Sequence, residues 1–376
     1  MQRYYFDHNA TTPVSPEVLE AMLPAMTEVY GNASSIHHFG QAARQKLDHA
    51  RRQVSSLLGA TAEEIVFTSG GTEADNLALF GIARDAHAIT TTIEHPAVLV
   101  TSGQLRSVTK VPVDGRGIVD PREIRRALKP DTKLISVMHA NNEIGVIQPI
   151  EEIAQIARDA GVAFHSDGVQ STGKIPVDVK KLGVDLYALS GHKFYAPKGV
   201  GALYIRKGTP LASLMYGGRH ERQRRAGTEN VAGAIGLGAA AQWIIDNGPE
   251  EWAHEAVLRD RLEQSVLNRI PDSHVNGAGA PRVPNTSNVR FDGIDSDALL
   301  IALDLKGFAV SSGSACSSGA TEPSHVLRAI GLTDEQSRSS VRFSLGRGNT
   351  SQQVDLLVEA LVESVAHLRK LAPAYV

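Results

Sequence analysis

Short apolar runs alternate with helical segments through the middle of the chain, and this pattern constrains the fold more than any other feature. The strand candidates are residues 88–92, 134–138, 162–165, 185–189 and 202–205. Three helix candidates start at Pro96, Pro121 and Pro149, and proline is favoured in the first helical position. Apolar strands separated by helices are typical of a mostly parallel sheet with helices on both faces. The sequence therefore predicts an α/β fold.

A second domain is indicated by a change of pattern in the last third of the chain. The sequence predicts an Ala/Gly-rich helix over residues 229–246, a break at Asn-Gly-Pro, and a charged helix over residues 250–268. The full 376 residues exceed what a single compact core normally holds. We therefore expect a large domain of residues 15–250 and a smaller α+β domain formed by residues 1–14 and 251–376.

The net charge and the cysteine content exclude several classes of protein. The net charge is -3, and the only dense basic patch covers residues 219–225, so neither nucleic acid nor an anionic membrane is expected as a partner. No apolar run is long enough to cross a bilayer, and residues 1–20 lack the apolar core of a signal peptide. We therefore expect a cytoplasmic protein. The single cysteine, Cys316, excludes an internal disulfide and a cysteine-rich metal site, and we expect no metal.

One lysine is notable because it directly follows a predicted buried strand. Lys193 ends the motif Ser-Gly-His-Lys at residues 190–193, after the apolar run 184–189. Burial disfavours the charged form of lysine, and the neutral amine is a nucleophile suited to a Schiff base. A single lysine in a loop is more often a solvated surface residue, so Lys193 needs supporting residues nearby.

Polar residues also follow other predicted strands, at the edge where ligands bind in open α/β sheets. They are Ser69-Gly70-Gly71-Thr72, His95, Asn141-Asn142, Asp167 and Gln170. Glycines and a hydroxyl at the start of a helix can hold a phosphate, although a tight turn is the simpler interpretation. Alone, His95 is more simply a capping or surface residue, and Asn142 part of a turn.

Considered together, these residues fit the cofactor pyridoxal 5'-phosphate. A buried lysine can form the Schiff base, a helix N-terminus can bind the phosphate, and a carboxylate can pair with the ring nitrogen. Asp167 suits the last role because a buried acid needs a cationic partner, and His165 on the same face of the strand could support it. We therefore predict that Lys193, Asp167 and residues 69–72 hold this cofactor.

The motifs resemble those of cysteine desulfurases of the NifS/IscS type, which are class V, fold-type I enzymes dependent on pyridoxal phosphate. The matching motifs lie at residues 7–12, 69–73, 141–145, 167–170, 190–193, 225–230, 312–316 and 342–347. They span nearly the whole chain, and the last three distinguish it from generic aminotransferases. The resemblance implies an aminotransferase-like fold, with a mostly parallel sheet of the seven-stranded type in the large domain and a smaller α+β domain.

The same resemblance implies roles at the matching positions. The catalytic residues would be Lys193, His95 and Cys316. The cofactor would contact Gly71, Thr72, His95, Asn142, Asp167, Gln170, Ser190, His192, Lys193 and Thr228. The last of these would reach the phosphate of the partner subunit, which implies a homodimer with shared active sites. The substrate would contact Asn32, Asn142 and Arg342, with the arginine as a two-pronged donor to its carboxylate.

The reaction that is implied depends on Cys316. A lone cysteine is most often a small buried hydrophobe, but residues 311–320 surround this one with serine, glycine and alanine, which offer no anchor in a core. An exposed thiol on a flexible loop suggests a nucleophile that must move. The resemblance implies that L-cysteine loses its sulfur to Cys316, which leaves L-alanine and a persulfide. A sulfur-acceptor protein would receive the sulfur, for iron–sulfur cluster, thio-tRNA or cofactor biosynthesis.

Related activities are alternatives on the sequence alone. A selenocysteine lyase, a cysteine sulfinate desulfinase or another class V enzyme would use the same cofactor. A non-catalytic sulfur carrier would need none of these reacting groups. Arg219 and Gln223 replace two glycines of the family pattern, in a loop expected to face the dimer partner near the phosphate.

Overall fold

A computed structural model describes residues 2–312 and 323–371 of the chain. Along these residues the strands are β1 (Tyr4–Tyr5), β2 (Ile65–Thr68), β3 (His87–Thr91), β4 (Ser107–Val111), β5 (Thr132–Ser136), β6 (Ala163–Asp167), β7 (Leu186–Ser190), β8 (Gly201–Ile205), β9 (Ser273–Val275), β10 (Thr286–Phe291), β11 (Phe308–Ala309) and β12 (Ser340–Ser344). The α-helices are α1 (Pro16–Thr27), α2 (His38–Leu57), α3 (Gly71–Ala83), α4 (Pro96–Ser102), α5 (Pro121–Arg126), α6 (Ile150–Ala160), α7 (Val179–Leu182), α8 (Val231–Arg269), α9 (Ser296–Leu305), α10 (His325–Ala329), α11 (Asp334–Arg338) and α12 (Ser351–Leu371).

The largest sheet has seven strands, in the spatial order β2-β8-β7-β6-β5-β3-β4. β8 runs antiparallel to both of its neighbours, and the other pairs are parallel. The prediction of an α/β fold with a mostly parallel sheet is therefore confirmed. The apolar pattern does not predict β4, because most of its residues are only partly buried at the edge of the sheet.

Helices cover both faces of this sheet, because successive side chains of a strand point to opposite sides. Tyr187 and Leu189 of β7 pack into a core with α2, α6 and α8, whereas Leu186 and Ala188 pack into another core with α3 and α4. Both faces therefore need apolar residues, which explains the unbroken apolar run at residues 186–189.

The break predicted between two helices at Asn247-Gly248-Pro249 is wrong. Helix α8 runs without interruption through these residues. Glycine and proline disfavour a helix locally, but packing overrides that preference here. Gly248 is buried against Trp252, where an added Cβ would lie 2.8 Å from a ring carbon. The Trp252 indole N–H donates to the carbonyl oxygen of Gly173 at 2.9 Å, which fixes this part of the helix to the loop after β6.

A second core lies along the C-terminal half of α8. β9, β10 and β12 form an antiparallel sheet, and β1 pairs in parallel with β11. The apolar core of this region joins Phe6 to residues between Leu258 and Val365, so the N-terminal strand packs with the C-terminal third. The predicted domain boundaries themselves stay a prediction. Among the helices of residues 2–312 and 323–371, none is both long and apolar enough to span a bilayer.

Candidate active site

The loops that follow the parallel strands surround a cavity of about 580 Å³. Most of the predicted site residues line it: Gly71, Thr72, His95, Asn142, Asp167, Gln170, Ser190, His192, Lys193 and Arg342. Those from the large sheet come together because parallel strands end at the same edge. Arg342 belongs instead to β12 of the antiparallel sheet, so the cavity lies between the two sheets.

Lys193 ends a short 3-10 helix, Gly191–Lys193, that directly follows β7. Its Nζ donates to the carbonyl oxygens of Asn9 and Ala10, at 2.6 and 2.8 Å. The side chain is thus held by main-chain atoms of the N-terminal loop. A partly buried lysine amine fixed in this way can bond a carbonyl carbon once it has lost its proton.

Asp167 ends β6, and only 4% of its surface is exposed. Its Oδ1 accepts a hydrogen bond from the Val169 amide at 2.9 Å. Burial raises the pKa of Asp167 to about 6, although the Val169 bond and the charge of Lys193 favour the ionised form. A cation placed against this carboxylate would offset the cost of desolvation. The cavity therefore fits a protonated ring nitrogen at Asp167.

Two further buried acids interact with Asp167, and the sequence does not reveal either of them. Burial raises the pKa of Glu94 to about 8, and the charge of Asp167 contributes in the same direction. Burial also raises the pKa of Asp75, with the charges of Asp167 and Glu94 adding to the effect. His165 Nε2 lies 3.5 Å from Asp75 Oδ1, and burial lowers the pKa of His165 to about 3. Because like charges disfavour each other, an ionised Asp167 disfavours the ionisation of Glu94 and Asp75.

His95 caps helix α4 and lines the cavity. Its Nδ1 accepts a hydrogen bond from the Ala97 amide at 3.1 Å, so the neutral ring carries its proton on Nε2. Burial lowers the pKa of His95 to about 4, and the charges of Lys193 and His325 act in the same direction. At physiological pH His95 is therefore a neutral aromatic plane, a form suited to stacking on another flat ring.

The start of helix α3 forms one wall of the cavity. The helix begins at Gly71, where an added Cβ would lie 2.6 Å from a methyl carbon of Val169, so a side chain is excluded. Amides in the first turn of a helix have no partner within the helix and suit a phosphate. Ser190 and His192 line the same cavity, and burial lowers the pKa of His192 to about 4. This set of donors fits the phosphate of the predicted cofactor.

Arg342 reaches the cavity from β12 and is 2% exposed. Its Nη2 pairs with Asp7 Oδ1 at 2.7 Å, and its Nη1 donates to the carbonyl oxygen of Asn142 at 3.0 Å. The guanidinium is therefore oriented before any ligand binds, and its planar shape suits a carboxylate. The two cavity residues predicted to bind substrate, Arg342 and Asn142, contact each other.

The sequence reasoning also missed Asn9, which connects the cavity wall to the antiparallel sheet. Its carbonyl oxygen accepts hydrogen bonds from Lys193 Nζ at 2.6 Å and from Gln170 Nε2 at 3.1 Å. Its Nδ2 donates to Thr286 Oγ1 at 2.9 Å. Asn9 stands in the motif at residues 7–12, but a local motif does not reveal contacts with residues so far away in the sequence.

Three predicted site residues are not among those that line the described cavity. Thr228 is exposed, beside a separate cavity of about 120 Å³ that Ser69 also lines. Asn32 is exposed, and its Oδ1 accepts a hydrogen bond from the Ser34 amide at 2.8 Å. Cys316 lies outside the described residues. The roles of all three stay predictions.

Comparison with known proteins identifies the family. The model of the family "Aminotransferase class-V" matches residues 4–357. Cysteine desulfurase IscS of Methanosarcina thermophila is 50% identical over 378 residues, which cover 98% of this chain and 93% of that protein. Cysteine desulfurase IscS of Dictyoglomus turgidum is 47% identical, and the alignment covers 98% of this chain and 96% of that protein.

A solved NifS-like protein has the same fold, with a TM-score of 0.90 at 38% identity over 98% of this chain and 100% of that chain. The cofactor of this family is pyridoxal phosphate, which the buried carboxylate, the lysine and the helix start around the cavity fit. Since the sequence likeness and the shared fold both extend over nearly the full length, the chain belongs to the class V aminotransferases and, within them, to the cysteine desulfurases.

Proposed function

We propose that this protein takes the sulfur of L-cysteine, releases L-alanine and holds the sulfur as a persulfide on Cys316. The observation that carries the proposal is the convergence of Lys193, Asp167 and His95 on one cavity, with Arg342 in its wall. The names of the relatives, which are cysteine desulfurases, support the same reaction.

Residues of this chain would hold the cofactor from several sides. Lys193 would bond it covalently, Asp167 would pair with the ring nitrogen, and His95 would stack on the ring. The remaining contacts are assigned to Gln170, Asn142, Gly71, Thr72, Ser190 and His192. When bound, pyridoxal phosphate supplies an electron sink for the negative charge that develops at the Cα of an amino acid.

Lys193 would move the proton of the substrate Cα. The carbonyl oxygens of Asn9 and Ala10 accept hydrogen bonds from Lys193 Nζ at 2.6 and 2.8 Å. These bonds orient the amine. His95 is neutral at physiological pH and carries its proton on Nε2, so it can donate to a group that becomes negative. Asp167 would keep the ring nitrogen protonated, because a buried carboxylate is costly without a cation beside it.

Arg342 would bind the carboxylate of the substrate. Its guanidinium already contacts Asp7 and the carbonyl oxygen of Asn142, so binding does not need to order a mobile side chain. Preorganisation of this kind lowers the entropic cost of binding. Asn32 is assigned to assist Arg342.

The sulfur transfer itself is assigned to Cys316. As a thiolate it attacks the sulfur of L-cysteine, the carbon–sulfur bond breaks, and the electron pair of that bond stays with the carbon. The carbon then takes up a proton, so that L-cysteine and a thiol become L-alanine and a persulfide without an external oxidant or reductant. The step needs a reduced thiol, which favours a cytoplasmic location. A sulfur-acceptor protein would remove the outer sulfur.

The active sites would be shared between two subunits of a homodimer, with Thr228 of the partner subunit at the phosphate. An exposed apolar face supports such an interface. Leu23 and Met26 of α1 are 54% and 66% exposed, and the exposed rings of Tyr30 and Phe39 stack with their centroids 5.5 Å apart. Clustered apolar surface is typical of a protein–protein interface.

The test measures L-alanine and sulfide from L-cysteine in the presence of a thiol reductant, together with the visible absorbance of the bound cofactor. We expect Cys316→Ala to lower the rate of both products by more than about 100-fold, since it removes the nucleophile, and to keep the visible absorbance. Lys193→Ala should lose both the products and the absorbance. The control Lys207→Ala changes an exposed lysine after β8 and should match the wild type.

Two results would contradict the proposal. The first is L-alanine formation at the wild-type rate by Cys316→Ala. The second is faster turnover of L-selenocysteine or cysteine sulfinate than of L-cysteine by the wild-type protein, which would favour the alternative activities.

A further inference from the structure

A buried lysine beside the cavity has no part in the reaction proposed above. Lys174 is 5% exposed, and its Nζ donates to Asn9 Oδ1 at 2.7 Å and to Gln170 Oε1. Lysine is rarely buried in proteins, because desolvation disfavours its charge. A lysine that stays buried is therefore expected to have a specific role.

The charges around Lys174 do not make it a simple salt bridge. Burial lowers its pKa well below the usual range, and the charges of Lys193 and Arg342 act in the same direction. Among the described residues that act on its pKa, Glu255 alone has the opposite effect, and the pKa of Glu255 is itself raised to about 8 by burial. Both hydrogen bonds that the Lys174 side chain donates go to neutral amide oxygens, those of Asn9 and Gln170.

Lys174 and the Asn9 carbonyl group together fix which end of the Gln170 amide faces which neighbour. The carbonyl oxygen of Asn9 can only accept, so the Gln170 atom 3.1 Å from it is the NH₂ group. The other end of the amide is then the oxygen, which accepts a hydrogen bond from Lys174 Nζ. Gln170 therefore presents a donor, and not an acceptor, on the side of the cavity where Lys193 lies.

Lys174 also fixes Asn9, whose carbonyl oxygen holds Lys193. The Asn9 side chain accepts from Lys174 at its Oδ1 and donates from its Nδ2 to Thr286 Oγ1. With both ends of its side chain bound, Asn9 has one orientation, and so does its carbonyl oxygen. That oxygen lies 2.6 Å from Lys193 Nζ.

We propose that Lys174 is a positioning residue of the cofactor site, which acts through Gln170 and Asn9 and does not touch the cofactor. The inference rests on one part of the proposed function, namely that the protein binds pyridoxal phosphate. Its tests therefore measure binding of pyridoxal phosphate to the cofactor-free protein, and they hold whichever substrate the enzyme uses.

The direct test is the dissociation constant for pyridoxal phosphate in Lys174→Met. We expect it to rise about tenfold, because the Gln170 and Asn9 oxygens lose a buried donor and the amide loses its fixed orientation. The absorbance maximum of the bound cofactor should shift as well. In the control Lys180→Met, which changes an exposed lysine of α7, both quantities should stay at the wild-type value. An unchanged dissociation constant in Lys174→Met would overturn the inference.

A double-mutant cycle distinguishes positioning from a general loss of stability. If Lys174 acts in part through Gln170, adding Lys174→Met to Gln170→Ala should raise the dissociation constant by clearly less than the change of about tenfold expected in the wild-type background, because only the route through Asn9 remains. If the two substitutions raise the dissociation constant by independent factors that multiply in the double variant, the route through Gln170 is contradicted. A purely structural role would lower the unfolding temperature of the cofactor-free protein and leave the cofactor spectrum in place.

If Lys174→Met does not fold, Gln170→Glu tests whether the positioned amide matters for cofactor binding. The carboxylate still accepts the hydrogen bond from Lys174, with an opposite charge that favours the pair, but it has no N–H to donate. We expect cofactor affinity as weak as in Gln170→Ala, because a carboxylate oxygen then faces the Asn9 carbonyl oxygen with no donor between them. Cofactor binding by Gln170→Glu as tight as the wild type would overturn the inference.

Discussion

At the scale of the residue, Asp167 links the stability of the protein to cofactor binding. Its pKa is raised to about 6 by burial, above the value of about 3.9 expected in an unfolded chain. Between these two values the folded state binds more protons than the unfolded state. Stability of the cofactor-free protein therefore falls as the pH rises through this window. Above it, the fold carries the full cost of a buried, ionised acid.

Replacement of Asp167 by Asn should stabilise the protein while weakening cofactor binding. Asn keeps an oxygen for the Val169 amide but has no charge to bury. We expect the free energy of unfolding of the cofactor-free protein to rise by about 1–3 kcal/mol at pH 8. At pH 4, where the acid is protonated, it should change much less. Urea denaturation at both pH values measures the difference.

Asp178→Asn is the matched control for this experiment. Asp178 caps α7 with hydrogen bonds from the amides of Lys180 and Lys181, and Asn is an equally good capping residue. The Asp178→Asn substitution should therefore leave the free energy of unfolding nearly unchanged at both pH values. If Asp167→Asn is no more stable than the wild type at pH 8, the buried charge is not a cost to the fold.

The site residues differ in how far the sequence could predict them. Lys193, Asp167 and His95 each follow a predicted strand directly, and the edge of a parallel sheet is a known ligand position. Asn9 and Lys174 could not be predicted, because their importance comes from hydrogen bonds to residues far away in the sequence. No local pattern encodes such contacts.

At the scale of the element, α8 is the clearest case in which packing overrides local preference. Pro249 has no N–H to donate, and its ring crowds the preceding helical turn. Pro249→Ala should therefore raise the free energy of unfolding by about 1–3 kcal/mol, below the full difference between the two residues in a helix interior. Chemical denaturation of the variant gives the value.

Pro121→Ala provides the comparison, since Pro121 stands at the start of α5, where a missing N–H costs no helical hydrogen bond. Its effect should be close to zero. A Pro249→Ala variant less stable than the wild type would mean that the helix needs the distortion that proline introduces.

The elements that the sequence predicts well are those whose environment matches their composition. The interior strands β5, β6 and β7 are mostly buried, and each contains apolar residues in succession: Leu134-Ile135, Ala163-Phe164 and residues 186–189. β4 lies at an edge, so its half-exposed residues give no such run. The continuity of α8 could not be predicted, because the contact that stabilises Gly248 is with Trp252 and that ring is fixed by the distant Gly173.

At the scale of the whole molecule, the exposed apolar face of α1 should decide whether the subunits associate. The double substitution of Leu23 and Met26 by Glu places two charges on that face without disturbing a core, since both side chains are exposed. We expect the wild type to sediment as a dimer and the variant as a monomer. Pyridoxal phosphate should bind the variant at least about tenfold more weakly, because a proposed phosphate contact comes from the partner subunit.

The comparison for this experiment is Ile301→Glu on α9, where the side chain is 63% exposed outside the proposed interface. That variant should remain a dimer with the affinity of the wild type. A wild type that sediments as a monomer would contradict the homodimer, and a monomeric variant with unchanged affinity would contradict the shared site.

The contacts of Asn9 also have a consequence for the protein while it is being made. The Asn9 amide donates to Ser344 Oγ at 2.9 Å, and its side chain donates to Thr286. The ribosome produces Lys193 well before either partner. The carbonyl that holds Lys193 is thus fixed only after β12 has emerged. We expect chains interrupted before that strand to lack a finished cofactor site, so that a nascent chain binds pyridoxal phosphate only after β12 has been synthesised.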